Sequence, residues 1–116
     1  MLKVSNQRNG LVIAETVKEA LSFKDRLFGL LGTKDLAESH GLLLSDCKCV
    51  HMFFMKYAID AIFINEKNVV CGLEKNLNPW RISRYYFKAS KVLEVSSGVI
   101  SANSTEIGDL LIFTTS

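Results

Sequence analysis

Cys47 to Asn65, CKCVHMFFMKYAIDAIFIN, holds two of the three cysteines, one of the two histidines and the densest aromatic and β-branched run in the chain. It reads as two strands, Cys47–Met55 and Asp60–Asn65, joined by a short connection over Lys56–Ile59. If both are strands, alternation puts Cys47, Cys49, His51, Phe53 and Met55 on one face of the first and Lys48, Val50, Met52 and Phe54 on the other. A simple hairpin register would pair Met55 with Asp60 and His51 with Ile64. The fold follows from this reading, because a chain centred on a β-hairpin builds outward by adding strands.

Outward from this hairpin, Leu42–Leu44 precedes it as a strand, and Val69–Leu73 follows after a turn at Glu66–Asn68. Val92–Val95, Val99-Ile100 and Leu110–Thr114 are further strands, and Asn76–Ser83, with the only proline at Pro79, is a loop. At the N-terminus two β-prone pieces, residues 2–5 and 11–17, flank Asn9-Gly10, the favoured pair for a tight hairpin turn. The helical signals are short. Ser22 approximates a capping box with Asp25 ahead of an apolar face of Leu27, Leu30 and Leu31. Lys34–Ser39 and a turn at Asn103–Ile107 are the other candidates.

No strand is regularly followed by a helix of crossover length, which argues against a doubly wound α/β fold. The expected architecture is mostly β (α+β). A curved antiparallel sheet forms a barrel or jelly-roll-like sandwich, with two or three short helices and the Ser22–Leu31 helix over one opening. Ile62, Ile64, Phe53, Val70, Leu93 and Ile112 are the expected core.

The length of 116 residues accommodates one domain, 1–116. No apolar run reaches the length of a membrane span, and the longest in residues 1–20 is LVIA, short of a signal-peptide core. Three cysteines cannot all pair within one chain, so free thiols and a cytoplasmic setting are expected. A formal charge of +2 is too small to imply a polyanion partner by itself. The basic residues do cluster once, as Arg81, Arg84, Lys88 and Lys91 among Trp80, Tyr85, Tyr86 and Phe87. That interleaving suits weak single-stranded nucleic-acid binding through residues 80–91, and equally a solvated edge.

Three chemistries compete for the central stretch. Cys47, Cys49 and His51 are metal-ligand types, but three same-face residues on a flat strand span about 13 Å, too far for one ion. No metal or other cofactor is therefore expected. A cysteine-dependent hydrolase would use Cys49 as nucleophile, His51 as base and Asp60 as orienter, yet the simple register separates His51 from Asp60. A binding or accessory domain asks less of geometry. His51, Lys56, Asp60, Trp80 and Arg81 would line a small polar pocket, with Lys56 or Arg81 meeting an anionic group and Trp80 adding apolar contact. The partner would be a small polar or anionic ligand, or another protein. Asp60 precedes an apolar run, so its charge needs compensation, by a salt bridge to Arg26, Lys56 or Arg81 or by capping a loop.

The ordered set Arg26–Leu30, Gly41–Leu44, Cys49–Lys56, Ile59-Asp60, Ile62–Ile64, Pro79–Arg81, Val92–Val95 with Gly98, and Gly108-Asp109 resembles the bacterial and archaeal family known as domain of unknown function 192. The resemblance covers residues 13–113 and is carried above all by H-x-F-F-M-K-x-x-I-D. It implies a compact β-rich domain with short helices, and it transfers no activity. Family members commonly place Pro directly before the Ile-Asp pair, where this chain has Ala58. Many relatives look exported, whereas this chain begins almost directly at the domain.

Overall fold

The computed structural model describes residues 1–20 and 39–115. Seven strands form one curled sheet: β1 (Leu2–Asn6), β2 (Val12–Ala20), β3 (His40–Ser45), β4 (Ile59–Ile64), β5 (Val70–Leu77), β6 (Lys91–Ser96) and β7 (Leu111–Thr115). One short helix, α1 (Val99–Ala102), lies among the described residues. The strand order is β5-β4-β6-β3-β2-β1-β7. Every neighbouring pair is antiparallel except β2 and β3, which run parallel. The sheet curls into a half-barrel whose two edge strands are tied at one corner by the Val69–Leu110 bridge.

The mostly β, curved architecture agrees with the sequence reading, with three corrections. The sheet contains a parallel pair, and a parallel return requires a crossover that hairpin logic does not supply. The only helix among the described residues is Val99–Ala102, where a strand was expected, and the turn expected at Asn103–Ile107 follows it. The expected helices Ser22–Leu31 and Lys34–Ser39 lie outside the described residues, apart from Ser39, which is in a turn.

The third correction concerns the opening stretch. Residues 47–55 are not a strand, and β4 pairs with β5 and β6 instead, placing Asp60 opposite Val95. The segment is too apolar to lie in solvent, but its backbone takes a left-handed value at Asp46 and again at Phe54 (φ 50° and 66°). Such residues interrupt a regular strand. The segment instead crosses one face of the sheet and inserts Val50, Met52 and Met55 into it.

Two apolar clusters result. One, with Ile13, Val17, Ile62, Leu93, Val95 and Ile100, includes α1. The other, with Leu42, Leu44, Met52, Ile59, Phe63 and Val92, lies under residues 50–55. β4 contributes alternately to both, so all six of its residues are buried. That explains why it reads as a continuous apolar run, the signature of a strand covered on both faces. Ile62, Ile64, Val70 and Leu93 are core as expected. Phe53 is only half-buried and Ile112 is 37% exposed, because Phe53 belongs to no strand and β7 is an edge.

Candidate functional site

The segment after β3 is held by a second irregular segment rather than by a strand of the sheet. Met52 N–H donates to the Arg81 carbonyl at 2.7 Å, Trp80 N–H to the Met52 carbonyl at 2.8 Å, and Ser83 N–H to the Val50 carbonyl at 2.8 Å. Tyr86 N–H donates to the Lys48 carbonyl at 2.7 Å. The Ser83 hydroxyl accepts from Val50 N–H at 2.9 Å. Together these bonds form a two-stranded ribbon with His51 opposite Ile82. Because the flanking residues carry the hydrogen bonds, His51 and Ile82 form a non-hydrogen-bonded pair, whose side chains sit close on one face.

Burial defines the two faces of this ribbon. Val50, Met52 and Ser83 point inward and are buried. His51, Phe53, Trp80 and Ile82 lie on the outer side. The His51 and Phe53 rings are 4.8 Å apart, Phe53 and Trp80 6.0 Å, and Phe54 meets Trp80 edge-to-face at 5.0 Å. Left-handed backbone at Phe54 and Trp80 (φ 66° and 68°) turns both side chains outward, leaving them 62% and 59% exposed. A non-glycine residue in this region is uncommon and is held there by surrounding contacts.

The residues singled out from sequence fall into two groups. His51 and Trp80 lie on the outer side of the ribbon, Arg81 is exposed between Trp80 and Ile82 on the second segment, and Lys56 is exposed just beyond the ribbon. Cys49 is exposed, and its carbonyl accepts from the Cys47 thiol at 3.0 Å. Asp60 is elsewhere. In the alternation of β4 it shares a face with Ile62 and Ile64, in the cluster that includes α1, whereas the ribbon packs on the face of Ile59, Ala61 and Phe63. Its Oδ1 accepts from Asn76 N–H at 2.8 Å, and its Oδ2 accepts from Gly98 N–H and Ile100 N–H, both at 3.0 Å. This is the capped-loop arrangement, with backbone amides where the sequence offered Lys56 or Arg81. Arg26, the other candidate partner, lies outside the described residues.

Some features escaped the sequence reading. Phe54 and Ile82 are exposed on the ribbon and were not among its candidate site residues. Tyr85 and Phe87, which the interleaving of aromatic and basic residues had singled out, form a second exposed edge-to-face pair at 5.6 Å. Glu94, fully buried in β6 between Leu42 and Ala61, gave no signal, because it sits within an apolar strand.

Three acidic groups, Tyr86, Cys71 and Asp109, titrate away from their ordinary values. Burial, then a hydrogen bond to Glu74, pushes the Tyr86 phenol up to about 12. Its hydroxyl donates to Glu74 Oε2 at 2.5 Å while its ring stacks on Phe63 at 4.1 Å. Burial also raises the Cys71 thiol. Asp109 is held down at about 2, chiefly by the Arg8 guanidinium. Among the described residues no three His, Cys, Asp or Glu side chains converge to hold a metal ion. Nor is any helix there long and apolar enough to cross a membrane.

The chain belongs to the family of domain of unknown function 192 (uncharacterized ACR), whose model matches residues 4–113. It is similar to a UPF0127 protein of Thermococcus sibiricus, with 34% identity over 108 residues, covering 90% of this chain and 70% of that one. A UPF0127 protein of Pyrococcus furiosus is 34% identical over 109 residues, covering 91% and 93%. A crystal structure of a protein of unknown function from Novosphingobium aromaticivorans superposes with a TM-score of 0.77 at 18% identity. It spans 96% of this chain and 82% of its own, and at that identity the likeness concerns the fold alone.

Proposed function

We propose that this member of the family is a binding or accessory domain whose ligand surface is the exposed part of the ribbon and its margin, with His51, Lys56, Trp80 and Arg81 as contacts and Asp60 as the buried support of the sheet behind it. The observation that carries this reading is the unbroken row of ring contacts from His51 through Phe53 and Trp80 to Phe54, with Arg81 adjoining it. Exposed rings beside a guanidinium suit a ligand that combines an anionic group with an apolar part. Arg81 would supply a planar, permanently charged fork, and Trp80 a large, stiff apolar contact.

The hydrolase alternative through Cys49 and His51 needs a carboxylate to orient the imidazole. Asp60 is directed at three backbone amides on the other face of β4, which favours binding over catalysis. Free thiols at Cys47, Cys49 and Cys71 suit a reducing compartment, so the cytoplasm belongs to the same proposal.

Trp80 is the sole tryptophan, so its fluorescence reports on the ribbon alone. Titration with phenyl phosphate is expected to give a saturable change in emission. Arg81→Gln should weaken that response by about tenfold or more, since a charge-assisted hydrogen bond contributes about 1.5–3 kcal/mol. A flat titration, or full affinity retained in Arg81→Gln, would overturn the proposal.

A further inference from the structure

Among the described residues, nine large hydrophobic side chains are exposed, and five of them lie on the two segments of the ribbon. They are Phe54 (62%), Trp80 (59%), Ile82 (61%), Tyr85 (61%) and Phe87 (82%). Solvent-exposed apolar groups scattered singly need no explanation, but their concentration in one place marks an interaction surface.

Charge is segregated onto the same segments. Residues 47–58 and 78–88 carry five of the fourteen basic residues, Lys48, Lys56, Arg81, Arg84 and Lys88, and none of the twelve acidic ones. All five are exposed. The rest of the chain is net acidic, so the overall charge of +2 hides a net +5 on these two segments. Lys48 also fastens the two segments together, donating from Nζ to the carbonyls of Phe87 at 3.0 Å and Ala89 at 2.7 Å.

We infer that the ribbon docks on the surface of an anionic phospholipid bilayer, with its apolar side chains entering the headgroup region and its lysines and arginines meeting lipid phosphates. The inference rests on the reading of the ribbon as a binding surface and names the phosphate-bearing partner. Amphipathic aromatic rings settle at the headgroup level, and flanking basic residues draw the surface to anionic lipid. The ring geometry favours lipid over single-stranded nucleic acid. Base stacking needs ring faces open to the ligand. Here Phe54–Trp80 and Tyr85–Phe87 meet edge-to-face at interplanar angles of 62° and 75°, so each pair uses a ring face internally. Ile82 offers no stacking platform at all, but it enters an apolar phase readily.

Sedimentation of the full chain with vesicles tests the inference, comparing phosphatidylcholine alone with phosphatidylcholine containing phosphatidylglycerol. The expected result is binding to the anionic vesicles, with a blue shift of Trp80 emission and weakening at high salt. Arg84→Gln and Lys88→Gln should each lower the partition coefficient by about fivefold, the effect of removing one basic residue near such a surface. Phe87→Ser and Phe54→Ser should lower it further and reduce the blue shift, with circular dichroism confirming that these exposed changes leave the sheet intact. Absence of vesicle binding while phenyl phosphate still perturbs Trp80 would overturn the bilayer inference and leave the binding surface standing. Binding to oligothymidylate but not to vesicles would overturn it in favour of nucleic acid. Equal binding to neutral and anionic vesicles would overturn it by removing the role of charge. Absence of any response to vesicles, oligothymidylate and phenyl phosphate would overturn both readings.

Discussion

Asp60 Oδ2 accepts a hydrogen bond from the backbone N–H of Ile100 at 3.0 Å, joining the start of β4 to α1 across forty residues of chain. The same carboxylate holds Asn76, at the irregular end of β5, and Gly98, whose φ of 100° suits glycine. One buried side chain thus fixes three separate segments. Asp60→Ala should destabilise the protein by about 3 kcal/mol or more, because buried amide donors lose a charged acceptor. Asp60→Asn should lie between the two, since its amide keeps one acceptor oxygen. Urea denaturation followed by circular dichroism measures this, and an unchanged midpoint in Asp60→Ala would refute it.

Arg8 and Asp109 form a second tie between distant parts of the chain. Arg8 Nε donates to Asp109 Oδ1 at 2.7 Å, while Asn6 Nδ2 and Glu106 N–H donate to Oδ2 at 2.7 and 2.8 Å. These donors hold the carboxyl at about 2, below its ordinary 3.8. A folded pKa below the unfolded one means stability that is present above pH 3.8 and lost as the pH falls toward 2. Arg8→Gln should raise the Asp109 pKa and shrink that loss. Carboxyl-carbon NMR titration checks the first expectation, and acid denaturation of wild type and variant checks the second.

At alkaline pH the opposite limb belongs to Tyr86. Its folded pKa of about 12 lies above its ordinary 10, so its contribution is complete below pH 10 and disappears as the pH rises toward 12. Ionised, the phenolate would face the Glu74 carboxylate. Tyr86→Phe should flatten the alkaline decline while lowering stability near neutrality, where the hydroxyl donates to Glu74. An alkaline stability profile that is the same in both proteins would contradict this.

Gly72 is required by packing rather than by backbone angle. A Cβ added there would collide with the Tyr86 ring, at Cγ, Cδ1 and Cε1, and not with a movable side-chain tip. Gly72→Ala should therefore displace the ring from Phe63 and destabilise the fold by about 1–3 kcal/mol, as overpacking does. In a Tyr86→Ala background the same substitution should be nearly neutral. Loss of this coupling in a double-mutant cycle would show that the clash is relieved elsewhere.

The sequence by itself determined the strands with the clearest apolar patterns. Leu42–Leu44 and Val92–Val95 fall within observed strands and Asp60–Asn65 overlaps β4 to within a residue at each end, because short apolar runs bounded by turn residues have few other places to be buried. It also determined the family, through the ordered residues from Arg26 to Asp109. Local pattern failed at residues 47–55, where a strand and an apolar segment crossing a sheet look alike over so short a span. Only tertiary structure decided that Val50, Met52 and Met55 insert into the face of the sheet, and that the ribbon partner is residues 80–86 rather than β4. It likewise put Asp60 on the other face of β4 from the ribbon that carries His51 and Arg81. The physical reason is that β4 is buried on both faces. Asp60 follows its own face to the amides of Gly98 and Ile100, while the ribbon packs against the other.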